Sequence, residues 1–305
     1  MRTDFGTYAW LSKLIFQKSI FLFCFQIYCM TDYLKYQFTD SIDFVNTFDE
    51  LPLWSAPFGL LLLKHVELKP NLKVIDIGSG AGFPLLELAS RLGNTCKLYG
   101  IDPWHNANNR AKEKIRNYGL SNVEIIECNA EQIPFEDNSI DLIVSNLGIN
   151  NFNNPDLVFK ECHRVLNKDG KLVLTTNLYG HWKEFYSVFY STLYEMKLDK
   201  YISKLKEEEE HRGTIESISE LFTSNGFVVN RKVEESFEMK FLDGTAFLNH
   251  HFVKLGWLAG WMKLFPENLH ENIFSSLERN LNTRSSDLNG INLNVPMAFF
   301  QGVKC

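Results

Sequence analysis

Five short apolar runs, separated by stretches with helical spacing, dominate the middle of the chain: Leu72-Lys73-Val74-Ile75, Lys97–Ile101, Val123–Glu127, Ile140–Val144 and Lys171–Thr176. Their length and continuity predict strands buried on both faces, as in a parallel sheet. Leu85, Leu88, Ala89 and Leu92 recur at the i, i+3, i+4, i+7 spacing of a helix with one buried face. Asn153-Asn154-Pro155-Asp156 opens another helix running to Leu166, and Asn167-Lys168-Asp169-Gly170 predicts a turn into the fifth strand. Strands alternating with helices in this order predict an α/β, doubly wound sheet.

The flanks add to this pattern. A helix over Leu60–Val66 precedes the first strand, and a helical stretch opens at Asn177-Leu178-Tyr179-Gly180-His181-Trp182 and reaches about Leu205. Thr214 to Asn225 reads as a helix capped by Thr214 and closed by Gly226, followed by a sixth strand over Phe227–Phe241 and a seventh over Val295–Val303. Between those last two strands lie about fifty residues, Asp243–Asn294, including the aromatic stretch from Phe252 to Phe265. Apolar residues at helical spacing there predict a helix packed on a core, with a pocket wall for an apolar acceptor as the sharper reading.

The first strand runs into Asp76-Ile77-Gly78-Ser79-Gly80-Ala81-Gly82-Phe83-Pro84. An acidic residue ends the strand and three alternate glycines carry the chain into a helix. Without Cβ atoms in the way, such a turn lets the backbone approach a nucleotide-like ligand closely. Pro84 suits a first helical position. The dinucleotide version of this turn places its third glycine or alanine one position later, where this chain has Phe83. A pyrophosphate would also be repelled by the Asp76 carboxylate, whereas a ligand with ammonium and sulfonium cations is welcome beside it. S-adenosyl-L-methionine fits that description. Asp102 ends the second strand twenty residues after Gly82 and is placed to accept both ribose hydroxyls. Trp104 is placed to lie against an adenine face, and Asn146, Leu147 and Gly148, after the fourth strand, to sit beside the methyl group.

Four ordered pieces carry a resemblance: Val74–Gly82, Gly100-Ile101-Asp102, Ala130–Asp141 and Arg164–Leu172. Over residues 70–177 the chain resembles the core of class I S-adenosylmethionine-dependent methyltransferases, in the broad small-molecule group that includes quinone-biosynthesis enzymes. The resemblance implies a Rossmann-like seven-stranded doubly wound sheet with the last strand antiparallel, plus helical cap insertions. It implies methyl transfer to a small, partly apolar metabolite by in-line displacement. The cofactor-binding residues it implies are Asp76, Gly78, Gly80, Gly82, Asp102, Trp104, Asn129, Ala130, Glu131 and Asn146. The family usually has Asp where this chain has Asn129. An amide oxygen still accepts from the exocyclic amine, so weaker but intact adenine recognition is expected.

Domain organisation follows: residues 1–30 a dispensable or mis-extended segment, and residues 31–305 a methyltransferase domain with its core at 70–177 and a cap from 31–66, 178–212 and 243–294. The apolar stretch Ser19–Cys29 is too short to span a bilayer and is followed by no small-x-small cleavage site, so no stable membrane span is expected.

Composition narrows the partners. A net charge of −6 gives no electrostatic footprint for nucleic acid. The acidic run Lys204–Arg212 reads as a solvated helix end. Cysteines at 24, 29, 96, 128, 162 and 305 form neither a metal pair nor a disulfide framework, which favours a reduced cytoplasmic protein without a metal site. Cys162 and His163 are adjacent on a helix and so point apart. His181, just after the fifth strand, is the best-placed base candidate, although a histidine in such a turn is commonly structural. Asn146-Leu147-Gly148-Ile149 lacks the Asn-Pro-Pro-aromatic pattern of base-amino methyltransferases. Nothing in the sequence sets an oligomeric state. Two rival readings stand beside methyl transfer: a cofactor-binding protein without catalysis, and a nicotinamide oxidoreductase, which Asp76 and Phe83 disfavour.

Overall fold

The computed structural model describes residues 31–50, 53–210 and 212–305; the expectation for residues 1–30 falls outside them. A seven-stranded sheet runs in the order β3-β2-β1-β4-β5-β7-β6. Its strands are β1 (Lys73–Ile77), β2 (Lys97–Ile101), β3 (Val123–Ile126), β4 (Ile140–Asn146), β5 (Leu166–Asn177), β6 (Phe227–Phe241) and β7 (Ile291–Lys304). β1 pairs in parallel with β2 and β4, β2 with β3, and β4 with β5, while β7 runs antiparallel to β5 with Leu174 opposite Phe300.

Alternation along the strands explains the layers. Ile75 and Ile77 of β1, with Leu172 and Leu174 of β5, share one buried cluster with Phe159, Cys162 and Val165 of helix Pro155–Val165 and with Phe222 of helix Ile215–Ser224. Val74, Val144 and Val173, one residue out of phase, are fully buried as well, so both faces of the central strands are covered, as parallel strands require. The helices carry the caps their sequences announce. Asn154 Oδ1 accepts the Leu157 N–H, with Pro155 at the first helical position. Thr214 and Ser217 form a reciprocal capping box.

Three local expectations are corrected. Helix Leu85–Leu92 begins one residue after Pro84, which occupies its cap. β5 begins at Leu166 rather than Lys171: Ile140 pairs with Leu166 and Leu142 already with Lys171, so residues 167–170 bulge out of the ladder. The aromatic stretch is one helical run interrupted by a π-helical turn at Lys254–Leu258.

The chain divides into two compact units. One, bearing the sheet, comprises Thr39–Lys183, Glu209–Met239 and Leu293–Cys305; the other comprises the described chain up to Phe38 with Glu184–Glu208 and Lys240–Asn292. Residues 39–66 and 178–183 therefore fall in the sheet-bearing unit. The second unit is helical, with an aromatic interior. Fully buried Trp261 lies 4.5 Å from Phe185 between ring centroids and donates its indole N–H to Tyr186 Oη at 3.3 Å. Buried Trp257 packs edge-on against Phe252. Tyr33 reaches the long helix Glu267–Leu288, where its hydroxyl donates to the buried Glu278 carboxylate at 3.2 Å.

Candidate active site

The turn after β1 passes beneath the loop after β4 at two glycines. Gly78 has φ +75°, and a Cβ on it would sit 3.3 Å from Gly148 Cα. A Cβ on Gly148 would sit 2.4 Å from Ser145 Oγ and 2.9 Å from the Ile77 carbonyl. No other residue allows this approach, and beyond it a cavity of about 340 Å³ opens at the carboxyl ends of β1, β2 and β4. Ligand sites of doubly wound folds lie at this edge of the sheet.

Seven of the ten cofactor-binding candidates line this cavity: Gly78, Asp102, Trp104, Asn129, Ala130, Glu131 and Asn146. Asp76, Gly80 and Gly82 do not, nor does His181. Leu147, Gly148, Asn151, Phe152 and Asn153 complete the wall on the β4 side.

Asp102 is the chemical centre of the wall. Gly80 N–H donates to its Oδ2 at 2.9 Å and Trp104 N–H to its Oδ1 at 2.8 Å. Each oxygen keeps a further lone pair for a ligand hydroxyl. Burial pushes the carboxyl's pKa up, opposed by those two N–H donors. Gly80 thus acts through its amide, with open space where a Cβ would stand.

Asp76 sits deeper than expected. The residue is fully buried, and no side chain donates to its carboxyl. Burial, reinforced by the Asp102 charge, raises its pKa well above the ordinary value, the backbone N–H of Leu85 opposing. Asp76 is not part of the cavity wall.

Asn146 is held in one orientation. Its Oδ1 accepts from Thr175 Oγ1 at 2.9 Å and its Nδ2 donates to the Ser55 carbonyl at 3.2 Å, leaving one amide hydrogen for a ligand. Across the cavity, Glu131 Oε1 accepts the Asn154 N–H at 3.0 Å. The loop that carries Asn129–Glu131 is fixed from below by Arg164. Its guanidinium donates to the carbonyls of Ile133 and Phe135 and to Glu161 and Asp137. Those carboxylates, Glu161 first, raise its pKa.

His181 is buried, and desolvation, with the Arg212 charge, pushes its pKa down to about 3. It is a neutral imidazole at physiological pH and stands away from the cavity wall. Cys162 lies in the core while the His163 ring packs on Phe227, so the two point apart as expected. Among the described residues, no cluster of His, Cys, Asp or Glu is arranged to hold a metal, and no helix is long and apolar enough to cross a membrane. A second cavity, about 200 Å³ at the amino ends of β1, β4 and β5, has its charges largely satisfied internally, Glu67 with Lys69 and Lys171, and Asp141 with Asn167.

Asp40, Ser55 and Thr175 also belong to the site, because their bonds orient wall residues. These contacts join residues 64, 91 and 29 positions apart, and no local pattern announces them.

Comparison with known proteins places these features. A family model described as "Methyltransferase domain" matches residues 68–225. The chain is similar to the demethylmenaquinone methyltransferase of Geobacillus stearothermophilus, 29% identical over 177 residues, covering 55% of this chain and 75% of the relative. In fold it is similar to the YcgJ protein of Bacillus subtilis, with TM-score 0.54, 18% identity, and coverage of 82% of this chain and 98% of that one. It is also similar to a SAM-dependent methyltransferase from Aquifex aeolicus, with TM-score 0.50, 22% identity, and coverage of 64% and 93%.

Proposed function

Because the chain belongs to the methyltransferase-domain family, we propose that the cavity beside Asp102 binds S-adenosyl-L-methionine and that the protein passes its methyl group to a small, partly apolar acceptor. The observation that carries this reading is the Asp102 carboxylate, fixed by two backbone N–H groups with a lone pair left on each oxygen. That arrangement matches a vicinal ribose diol. The two carboxylates of the wall, Asp102 and Glu131, disfavour an anionic pyrophosphate and suit a cationic ligand. On this reading Asp102 holds the ribose, Trp104 and Asn129–Glu131 flank the adenine, and Gly78 and Asn146 border the reacting end. Gly80 and Gly82 shape the turn, and Asp76 is not part of the wall.

When bound, the cofactor supplies an electrophilic methyl group at a sulfonium centre. What the chain must add is position: an acceptor atom in line at about 3–3.5 Å. The wall's titratable side chains are Asp102 and Glu131, one engaged by backbone donors and the other by Asn154 N–H. On this reading Asp102 is committed to the ribose, which leaves Glu131, engaged through one oxygen only, as the wall's remaining titratable group for any proton the acceptor must lose. His181 takes no part on this reading: burial makes its imidazole a very weak base, and it does not line the wall. The relatives are named for demethylmenaquinone, which makes a quinol-type ring the first acceptor to try. We read the protein as cytoplasmic, which cell fractionation would check.

Calorimetry with S-adenosylmethionine, S-adenosylhomocysteine and NAD tests the cofactor. Binding of the first two and not the third is expected; the reverse would make the site a nicotinamide one. A labelled-methyl assay read by mass spectrometry, with quinol-type rings and a general metabolite pool, tests catalysis. Tight binding with no transfer to any acceptor would favour a non-catalytic binding protein.

A further inference from the structure

Trp104 lines the cavity at the start of helix His105–Tyr118, and more than packing fixes its ring. Its indole Nε1 donates to Asp40 Oδ1 at 2.8 Å, and Asn106 Nδ2 donates to the same oxygen at 3.0 Å. These two bonds, Asn106 first, hold the Asp40 carboxyl below the usual carboxylate range. Asp40 leads into helix Ile42–Glu50, whose start is closed by Ser41 Oγ accepting the Phe44 N–H at 3.1 Å. The far end of that helix is fastened to the same long helix. Arg110 Nε donates to Asp49 Oδ2 at 3.0 Å, and Lys114 Nζ donates to Oδ1 at 2.7 Å. Arg110 and Lys114, four residues apart, share one helix face. Residues 40–49 therefore form a strap fixed at both ends to the helix that begins at the cavity wall.

We propose that Asp40 is a positioning residue for ligand binding, holding the Trp104 indole at the cavity wall so that its face is presented to the adenine of S-adenosylmethionine. The inference rests on the cofactor reading above. Asp40 itself does not line the cavity, so any effect on affinity must pass through what it holds. A bond from an indole N–H to a carboxylate is charge-assisted and directional. With the ring already fixed, its rotational freedom is not lost again when the ligand binds.

The test measures S-adenosylhomocysteine affinity by calorimetry in the wild type, Asp40→Ala, Asp40→Asn, Trp104→Phe and the Asp40→Ala/Trp104→Phe pair. Asp40→Ala should bind about fivefold more weakly, the worth of one net hydrogen bond. Asp40→Asn keeps an acceptor oxygen and should stay within about twofold. With Phe at position 104 the N–H donor is gone, and Asp40→Ala should add less than about twofold, the signature of a coupled pair. Without ligand, the Trp104 indole N–H resonance, assigned by its loss in Trp104→Phe, should move upfield in Asp40→Ala and much less in Asp40→Asn. Wild-type affinity in Asp40→Ala, or an equal loss with and without Trp104, would overturn the inference. A wild-type protein that binds neither S-adenosylmethionine nor S-adenosylhomocysteine would instead overturn the cofactor reading, a result visible before any Asp40 variant is compared.

Discussion

Gly80 donates its N–H to Asp102 Oδ2 at 2.9 Å, tying the glycine turn after β1 to the tip of β2. The same carboxylate takes the Trp104 N–H on its other oxygen, so one side chain organises both loops and faces the cavity between them. Asp102 is therefore structural and ligand-facing at once.

Asp102→Ala should lose about 1.5–3 kcal/mol of S-adenosylmethionine affinity, the range for hydrogen bonds to a charged group. Asp102→Asn should do no better, because its NH₂ would confront the N–H of either Gly80 or Trp104. Calorimetry on both variants checks this, and unchanged affinity in Asp102→Ala would end the ribose assignment.

Gly59, inside helix Ser55–His65, leaves room for the ring of Phe83 at the end of the glycine turn. A Cβ on Gly59 would lie 2.2 Å from Phe83 Cε1. Glycine to alanine inside a helix ordinarily gains about 1 kcal/mol, but overpacking against an aromatic ring costs about 1–3 kcal/mol. The clash should win, so Gly59→Ala is expected to lower the melting temperature and to weaken cofactor binding by displacing the turn. Adding Phe83→Ala should make the Gly59 change harmless. Additive losses in the double variant would mean that the two residues do not meet in solution.

Much of this architecture is legible in the sequence, and its limits are physical. β2 and β6 run over the residues expected from their patterns, Lys97–Ile101 and Phe227–Phe241, because local alternation and bounding polar residues define them. The sequence predicts a shorter β5 because residues 167–170 have turn chemistry, with Asp169 at φ +65°. Only pairing of Leu166 with Ile140 across the sheet makes them a bulge within a strand. Asp76 lies one residue inside the end of β1, and its depth depends on packing of the next helix and on Asp102, neither of which periodicity encodes. Gly78, Asp102 and Asn146 line the cavity and are legible as wall residues because each sits at a strand's end, where chain order alone predicts the ligand side. Asp40 and Ser55 are not, since a side chain reaching a distant partner leaves no periodic trace.

Tyr33 is the first deeply buried residue among those described, and its hydroxyl donates to Glu278, which also accepts from Thr245 Oγ1 at 2.6 Å. Tyr33→Phe leaves that carboxylate one donor short and should cost about 1–3 kcal/mol. A chain starting at Met30 keeps Tyr33 and should melt at the same temperature as the full chain and bind cofactor equally. Urea unfolding and thermal melts of both proteins check this. A shortened chain several degrees less stable would place the apolar segment before Met30 in the folded core.

The pH dependence of stability should carry the signature of Asp76. Burial, with the Asp102 charge behind it, raises its carboxyl pKa well above the ordinary 3.8. The native state therefore binds a proton that the unfolded chain releases, and stability falls with rising pH wherever the native state holds more protons. The contribution is complete below about 3.8, the unfolded value, and is lost as pH climbs through the raised folded value. Asp76→Asn carries no titrating group and should escape that loss. Its melting temperature without cofactor should gain on the wild type progressively as pH rises above the unfolded value of about 3.8. Carboxylates held low by partners, such as Glu161 beside Arg164, act in the opposite sense in both proteins and cancel in the comparison. A difference between the two proteins that stays flat across this range would show that Asp76 titrates normally and is reached by water in solution.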